Sequence, residues 1–107
     1  MSEHAIDRLF ATIAARKSAG ADISYTAKLL QAGVEKCAKK FGEEAVEAVI
    51  AATARDAKAL TSESADVLYH LLVLWAAAGV TPDNVYAALK ARENQSGLQE
   101  KAARPKN

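Results

Sequence analysis

The residues best suited to chemistry lie in two short acidic segments, Glu43-Glu44-Ala45-Val46-Glu47 and Glu63-Ser64-Ala65-Asp66. On a helix, residues three apart lie about 60° apart around the axis, so Glu44 with Glu47 and Glu63 with Asp66 each form a pair on one face. Positions 47 and 63 average to 55, and so do 44 and 66. If the chain reverses at Arg55, the two pairs stand level on an antiparallel hairpin, about 12 Å from the turn at a rise of about 1.5 Å per residue. Four carboxylates gathered without cations repel and raise one another's pKa, so the arrangement is costly unless a divalent ion occupies the middle. Oxygen-only ligands select a hard ion. Mg²⁺ takes a few carboxylates plus water and phosphate oxygens, with Mn²⁺ as its substitute, so the nest suits a phosphate-bearing substrate.

Glu43, Glu44 and Glu47 taken alone also fit a solvated helix face. They share an arc with Lys36 and Lys40, opposite Cys37, Phe41, Ala45, Ala48 and Ala52, and Lys40 with Glu44 has the spacing of a simple surface pair. The second segment weighs against that reading. Val67, Leu68 and the run from Leu71 to Trp75 cover nearly the whole circumference of their helix, the pattern of a buried element, so Glu63 and Asp66 should lie against apolar surroundings. His70 shares a face with Asp66 and could be a donor to a metal ligand, a base, a substrate contact or a satisfied helix histidine. Neither acid pair is followed by a histidine three residues on, which argues against a di-iron bundle. Cys37 reads as a small buried hydrophobe, and Tyr69 and Trp75 as core aromatics.

The elements that must hold these groups are helices. The 107 residues include 25 alanines against five glycines and two prolines, with no Asn-Gly or Asp-Gly turn. Ile6, Leu9, Phe10 and Ile13 predict a first helix from about Glu3 to Ala19. Ser24 should cap a short helix carrying Tyr25, Leu29 and Leu30 that Gly33 ends. A long helix should run from Val34 to about Ala54 through Gly42, which asks for a packing or functional reason such as a close approach. Asp56 should cap a second long helix from Ala57 to Ala78, stopped by Gly79. Thr81-Pro82-Asp83 opens a last one, to about Glu93, with Val85, Tyr86 and Leu89 inward. The expected fold is an all-α antiparallel bundle of about five helices with two long central ones. It forms one domain over residues 1–93, with a loose polar tail over 94–107. So small a chain has little surface with which to cover an all-round apolar helix, so a second copy should complete it as a homodimer.

Composition limits the partners. A formal charge of +1 excludes a chain-wide nucleic-acid or acidic-membrane surface. The run from Leu71 to Val80 is too short to span a bilayer, and the first ten residues hold no apolar signal region. A single cysteine allows neither an internal disulfide nor a Cys-x-x-Cys site, which fits the cytoplasm.

Three segments carry a family resemblance: Ser24-Tyr-Thr-Ala-Lys-Leu-Leu30, Gly33-Val-Glu-Lys-Cys-Ala-Lys-Lys-Phe-Gly-Glu-Glu44 and Glu63-Ser-Ala-Asp-Val-Leu-Tyr-His-Leu-Leu72. The chain closely resembles the phosphoribosyl-ATP pyrophosphatases of histidine biosynthesis over about residues 5 to 93. The acidic pair alone marks only the wider all-α, MazG-like nucleoside triphosphate pyrophosphatases; the Ser24–Lys28 and Lys39–Glu44 segments are more specific. Cys37 and Phe41 depart conservatively from branched aliphatics. The resemblance implies hydrolysis of the α–β phosphoanhydride of 1-(5-phosphoribosyl)-ATP, releasing pyrophosphate. Mg²⁺ would then be held by Glu44, Glu47, Glu63 and Asp66, and Glu43 or Glu47 would take the proton of the attacking water. Lys28, Lys36, Lys39 and Lys40 become candidates for phosphate contacts, Ser24, Tyr25 and Thr26 for a phosphate at a helix start, and His70 for a substrate contact. The rival readings are a housecleaning pyrophosphatase of ordinary nucleotides and a non-enzymatic helical interaction module.

Overall fold

A computed structural model describes residues 4–20 and 24–93. These residues form α1 (Ala5–Ala15), α2 (Tyr25–Ala32), α3 (Val34–Thr53), α4 (Ala57–Ala78) and α5 (Pro82–Arg92), with a 3-10 turn over Arg16–Ser18 and no strand. The expected tail over 94–107 lies outside the described residues.

Local chemistry sets most helix ends. Ser24 Oγ accepts from the Ala27 N–H at 3.1 Å, and Asp56 Oδ1 from the Ala59 N–H at 2.9 Å. Thr81 and Asn84 exchange side-chain and backbone hydrogen bonds in a capping box, with Pro82 at the first helical position. Gly79 closes α4 in the left-handed region (φ 78°), letting the Val80 N–H reach Trp75 O at 2.9 Å. The end of α3 uses the same device without glycine. Arg55 takes φ 57°, and the N–H groups of Arg55 and Asp56 return to Ala52 O and Ala51 O at 3.0 and 3.2 Å.

The first helix is shorter than expected. His4 caps it, Nδ1 accepting from the Ile6 N–H at 3.1 Å. Beyond Ile13 no large apolar side chain holds the last turn to the core, and the chain tightens into the 3-10 turn instead of continuing to Ala19.

α3 and α4 form an antiparallel hairpin and the most extensive helix contact; α1 packs on α4 and α2 on α3. The core draws Ile13 from α1, Leu29 from α2, Cys37 from α3 and Leu72, Val73 and Ala76 from α4. Burying a large aliphatic side chain of this kind stabilises by about 1.5–3 kcal/mol. Cys37 Sγ donates to Leu29 O at 3.2 Å, and Tyr86 Oη donates to Asp7 Oδ1 at 2.9 Å, tying α5 to α1.

Several orientations differ from the wheel. Ala51 is buried and Ala52 exposed: the two buried residues of α3, Cys37 and Ala51, lie two seven-residue repeats apart, and that strip has drifted off the simple helical arc by position 52. Leu89 is half-exposed, since α5 is anchored at its start, where Pro82 is buried and Val85 and Tyr86 partly so. α4 is not covered all round within one chain: Asp66 is exposed and Leu68 is 45% exposed. A Cβ added at Gly42 would meet nothing within 4 Å, so the close approach expected there does not occur within the described chain.

Candidate functional site

The hairpin brings the two acidic segments together. Carboxylate oxygens of Glu44, Glu63 and Asp66 lie within 4.8 Å of one another. Glu47 is not one of that trio, but it shares a hydrogen bond with Glu44 and adds to the negative charge around Glu63. The level register read from residue numbers therefore holds in space, with three acids converging and the fourth beside them.

The electrostatics show what the cluster lacks. Glu44 is held above the usual carboxylate range, first by its hydrogen bond with Glu47, then by desolvation and by the charges of Glu47, Asp66 and Glu63. Glu63 is raised by desolvation and then by Glu47 and Asp66. Its Oε2 is buried with no hydrogen-bond partner among the described residues. An acceptor without a donor, facing two more carboxylates, has the chemistry of a hard divalent ion's ligand set, and these residues fit Mg²⁺.

His70 is 6% exposed, and its Nε2 stands 3.8 Å from Glu44 Oε1, beyond hydrogen-bond length. Its Nδ1 is buried without a partner among the described residues. The rings of Tyr25 and Tyr69 meet it edge-on, with centroids 6.2 and 5.0 Å away. Desolvation, with Lys40 adding to it, pushes the imidazole below its usual pKa, which favours the neutral form at pH 7. His70 thus lies almost fully buried beside Glu44.

The Ser24–Lys28 segment divides into two jobs. The Ser24 hydroxyl caps α2, and that of Thr26 hydrogen-bonds Tyr69 Oη, so both are already engaged within the fold. Tyr25 and Lys28 are exposed and line a groove of 260 Å³ between α2 and α3, with Leu29, Ala32, Lys36 and Lys40. Lys39 is exposed and does not line it. Lys40 Nζ pairs with Glu43 Oε1 at 3.2 Å, an interaction that raises the lysine's pKa and lowers the carboxylate's. A second cavity, of 380 Å³, runs from Glu47 and Glu63 toward the turn, lined by Ile50, Ala51, Ala54 and Ala59. Residue spacing pointed to neither the Thr26–Tyr69 bond nor this cavity; the bonded residues are 43 positions apart and meet only when α2 lies across α4.

A family model described as phosphoribosyl-ATP pyrophosphohydrolase matches residues 6–93, which takes in every residue of the site. The chain belongs to that family. Among similar proteins, a phosphoribosyl-ATP pyrophosphatase from Parvibaculum lavamentivorans is 63% identical over 99 residues, covering 92% of this chain and 91% of the relative. That of Dinoroseobacter shibae is 63% identical over 97 residues (91% and 95%), and that of Azospirillum brasilense 55% over 104 (97% and 94%). Membership of the phosphoribosyl-ATP pyrophosphohydrolase family agrees with the resemblance read from the three segments. Among the described residues, no single helix is long and apolar enough to cross a membrane.

Proposed function

We propose that this chain hydrolyses 1-(5-phosphoribosyl)-ATP to 1-(5-phosphoribosyl)-AMP and pyrophosphate in histidine biosynthesis, as a Mg²⁺-dependent homodimer in the cytoplasm. The observation that carries the reading is the convergence of Glu44, Glu63 and Asp66 in a chain whose family and relatives bear the name of this activity. Mg²⁺ held by these three acids, with Glu47 adjoining, would neutralise phosphate charge and activate water; Mn²⁺ would substitute.

The chain's own residues supply the rest. Glu43, fixed to Lys40 and lowered in pKa by it, is the weaker base of the two considered. Glu47 sits beside the cluster without such a cation, so it is the residue to accept the proton of the attacking water. Lys40, one helical turn before Glu44, would offset charge on the departing pyrophosphate.

The homodimer rests on a second apolar face. Val46, Val49 and Ile50 lie together on α3 and are 58–60% exposed. Gly42 is one turn earlier on the same face, so a second copy approaching there would account for a helix glycine that nothing among the described residues requires.

The decisive experiment measures pyrophosphate release from phosphoribosyl-ATP and from a panel of nucleoside triphosphates including dUTP, with Mg²⁺ and with chelator. Phosphoribosyl-ATP should be preferred and chelator should abolish release. Preference for a plain triphosphate would establish the housecleaning reading, and metal-independent binding without turnover the interaction module. Sedimentation at micromolar concentration should give a dimer.

A further inference from the structure

The groove between α2 and α3 differs in kind from the acid cluster it adjoins. It is lined by three lysines, Lys28, Lys36 and Lys40, together with Tyr25, Leu29 and Ala32. Lys40 already has Glu43 at 3.2 Å, whereas among the described residues Lys28 and Lys36 form no close ion pair, Lys36 acting on Glu43 only at longer range. Two lysines outside any close ion pair that line one concavity repel each other, a cost that an anion between them would offset.

The two ends of the groove lie at different distances from the acids. Lys40 precedes Glu44 by one turn and Lys36 by two, about 6 and 12 Å along α3. Lys40 is thus within reach of a phosphate chain held at the cluster. Lys36, with Lys28 across the seam on α2, is placed for a separate anion carried further along the same molecule. The Tyr25 ring, edge-on to His70, spans the interval between the groove and Glu44.

We infer that Lys28 and Lys36 form a subsite for the phosphomonoester of the phosphoribosyl group, with Tyr25 against its sugar, while Lys40 serves the triphosphate side. This rests on the activity proposed above, because only a nucleotide with a second, remote phosphate needs two anion sites. The subsite would separate that substrate from an ordinary triphosphate by the charge it must find at the far end, whatever the base.

The test is calorimetric and needs no turnover. Phosphoribosyl-AMP and AMP differ by the phosphoribosyl group alone, so the ratio of their affinities reads the subsite directly. The unsubstituted protein should prefer phosphoribosyl-AMP by about 10- to 150-fold, the range for one charge-assisted phosphate contact. Lys28→Ala with Lys36→Ala should abolish that preference while leaving AMP affinity within twofold, and Lys90→Ala on α5 should change neither. A preference that survives the double substitution overturns the proposal, and so does an equal loss for both ligands, which would assign the lysines to the shared part of the nucleotide. If the lysine-dependent preference is present but phosphoribosyl-ATP is not hydrolysed, the subsite stands and the proposed activity falls.

Discussion

The α2–α3 seam and the α3–α4 seam share α3 and are built on opposite terms. On the first, hydroxyl and thiol groups are matched, Ser24 capping α2 and the Cys37 thiol bonding Leu29 O, while Thr26 ties the same helix to Tyr69 on α4. On the second, Glu63 keeps a buried oxygen without a partner, and Glu44 and Glu63 are both driven above the usual carboxylate range. The first seam is held by matched bonds and leaves only its groove lysines for an anion, whereas the frustrated second seam is where a cation has something to offer. The apolar core from Ile13 to Ala76 draws on all three of these helices and holds both seams in place.

The strongest way to break the contrast is to remove charge from the frustrated side. Asp66→Asn and Glu47→Gln should each lower kcat/KM by more than the roughly 10- to 100-fold that residues merely supporting a metal ligand contribute, with helical content by circular dichroism unchanged. Full activity in both variants would remove the metal-site reading.

A substitution on the matched side should act on stability instead. Ser24→Ala deletes the cap of an eight-residue helix and should cost about 1 kcal/mol, seen as a fall of roughly 4–8 °C in Tm, with Mg²⁺ affinity by titration retained. A larger loss in metal affinity than in Tm would mean that the two seams are coupled through Tyr69 and His70.

The smallest effect sharpens the comparison by its sign. A carboxyl group whose folded pKa is raised binds protons more readily in the folded state than in the unfolded one, so metal-free stability falls as pH rises from the ordinary carboxylate range through the raised values of Glu44 and Glu63. Glu43, lowered by Lys40, acts in reverse, contributing stability above its ordinary pKa that is lost as pH falls through the lowered one. In chelator near neutral pH, Glu63→Gln should therefore raise Tm slightly and flatten its pH dependence, while removing the Tm gain that Mg²⁺ gives the unsubstituted protein. A lower Tm for the metal-free variant would show that Glu63 is bonded, not frustrated.

Much of this was legible from residue order. Ser24, Asp56, Thr81 and Gly79 act at short range, so their chemistry appears in neighbouring letters, and the helices they bound were read to within a few residues except at the first. The convergence of Glu44, Glu63 and Asp66 was legible because one turn relates the two helices by simple counting. Illegible were outcomes decided by a third helix. Whether Thr26 faces a ligand or Tyr69 depends on how α2 crosses α4, and whether Leu68 is covered depends on how far α1 and α5 reach. The left-handed turn at Arg55 was illegible as well, because such a position favours glycine and an arginine there gave no warning.

That turn also sets a rule about length. Because Glu44 and Glu47 face Glu63 and Asp66 across it, one residue inserted or deleted between positions 47 and 63 would swing one pair by about 100° and slide it by about 1.5 Å against the other if the added residue joined a helix. The interval can accept new side chains, even at Arg55, but not a new count. Surface loops elsewhere commonly drift in length while the fold persists; this short connection behaves as a ruler, and sequences that keep both acidic segments should differ in its letters far more freely than in its number of residues.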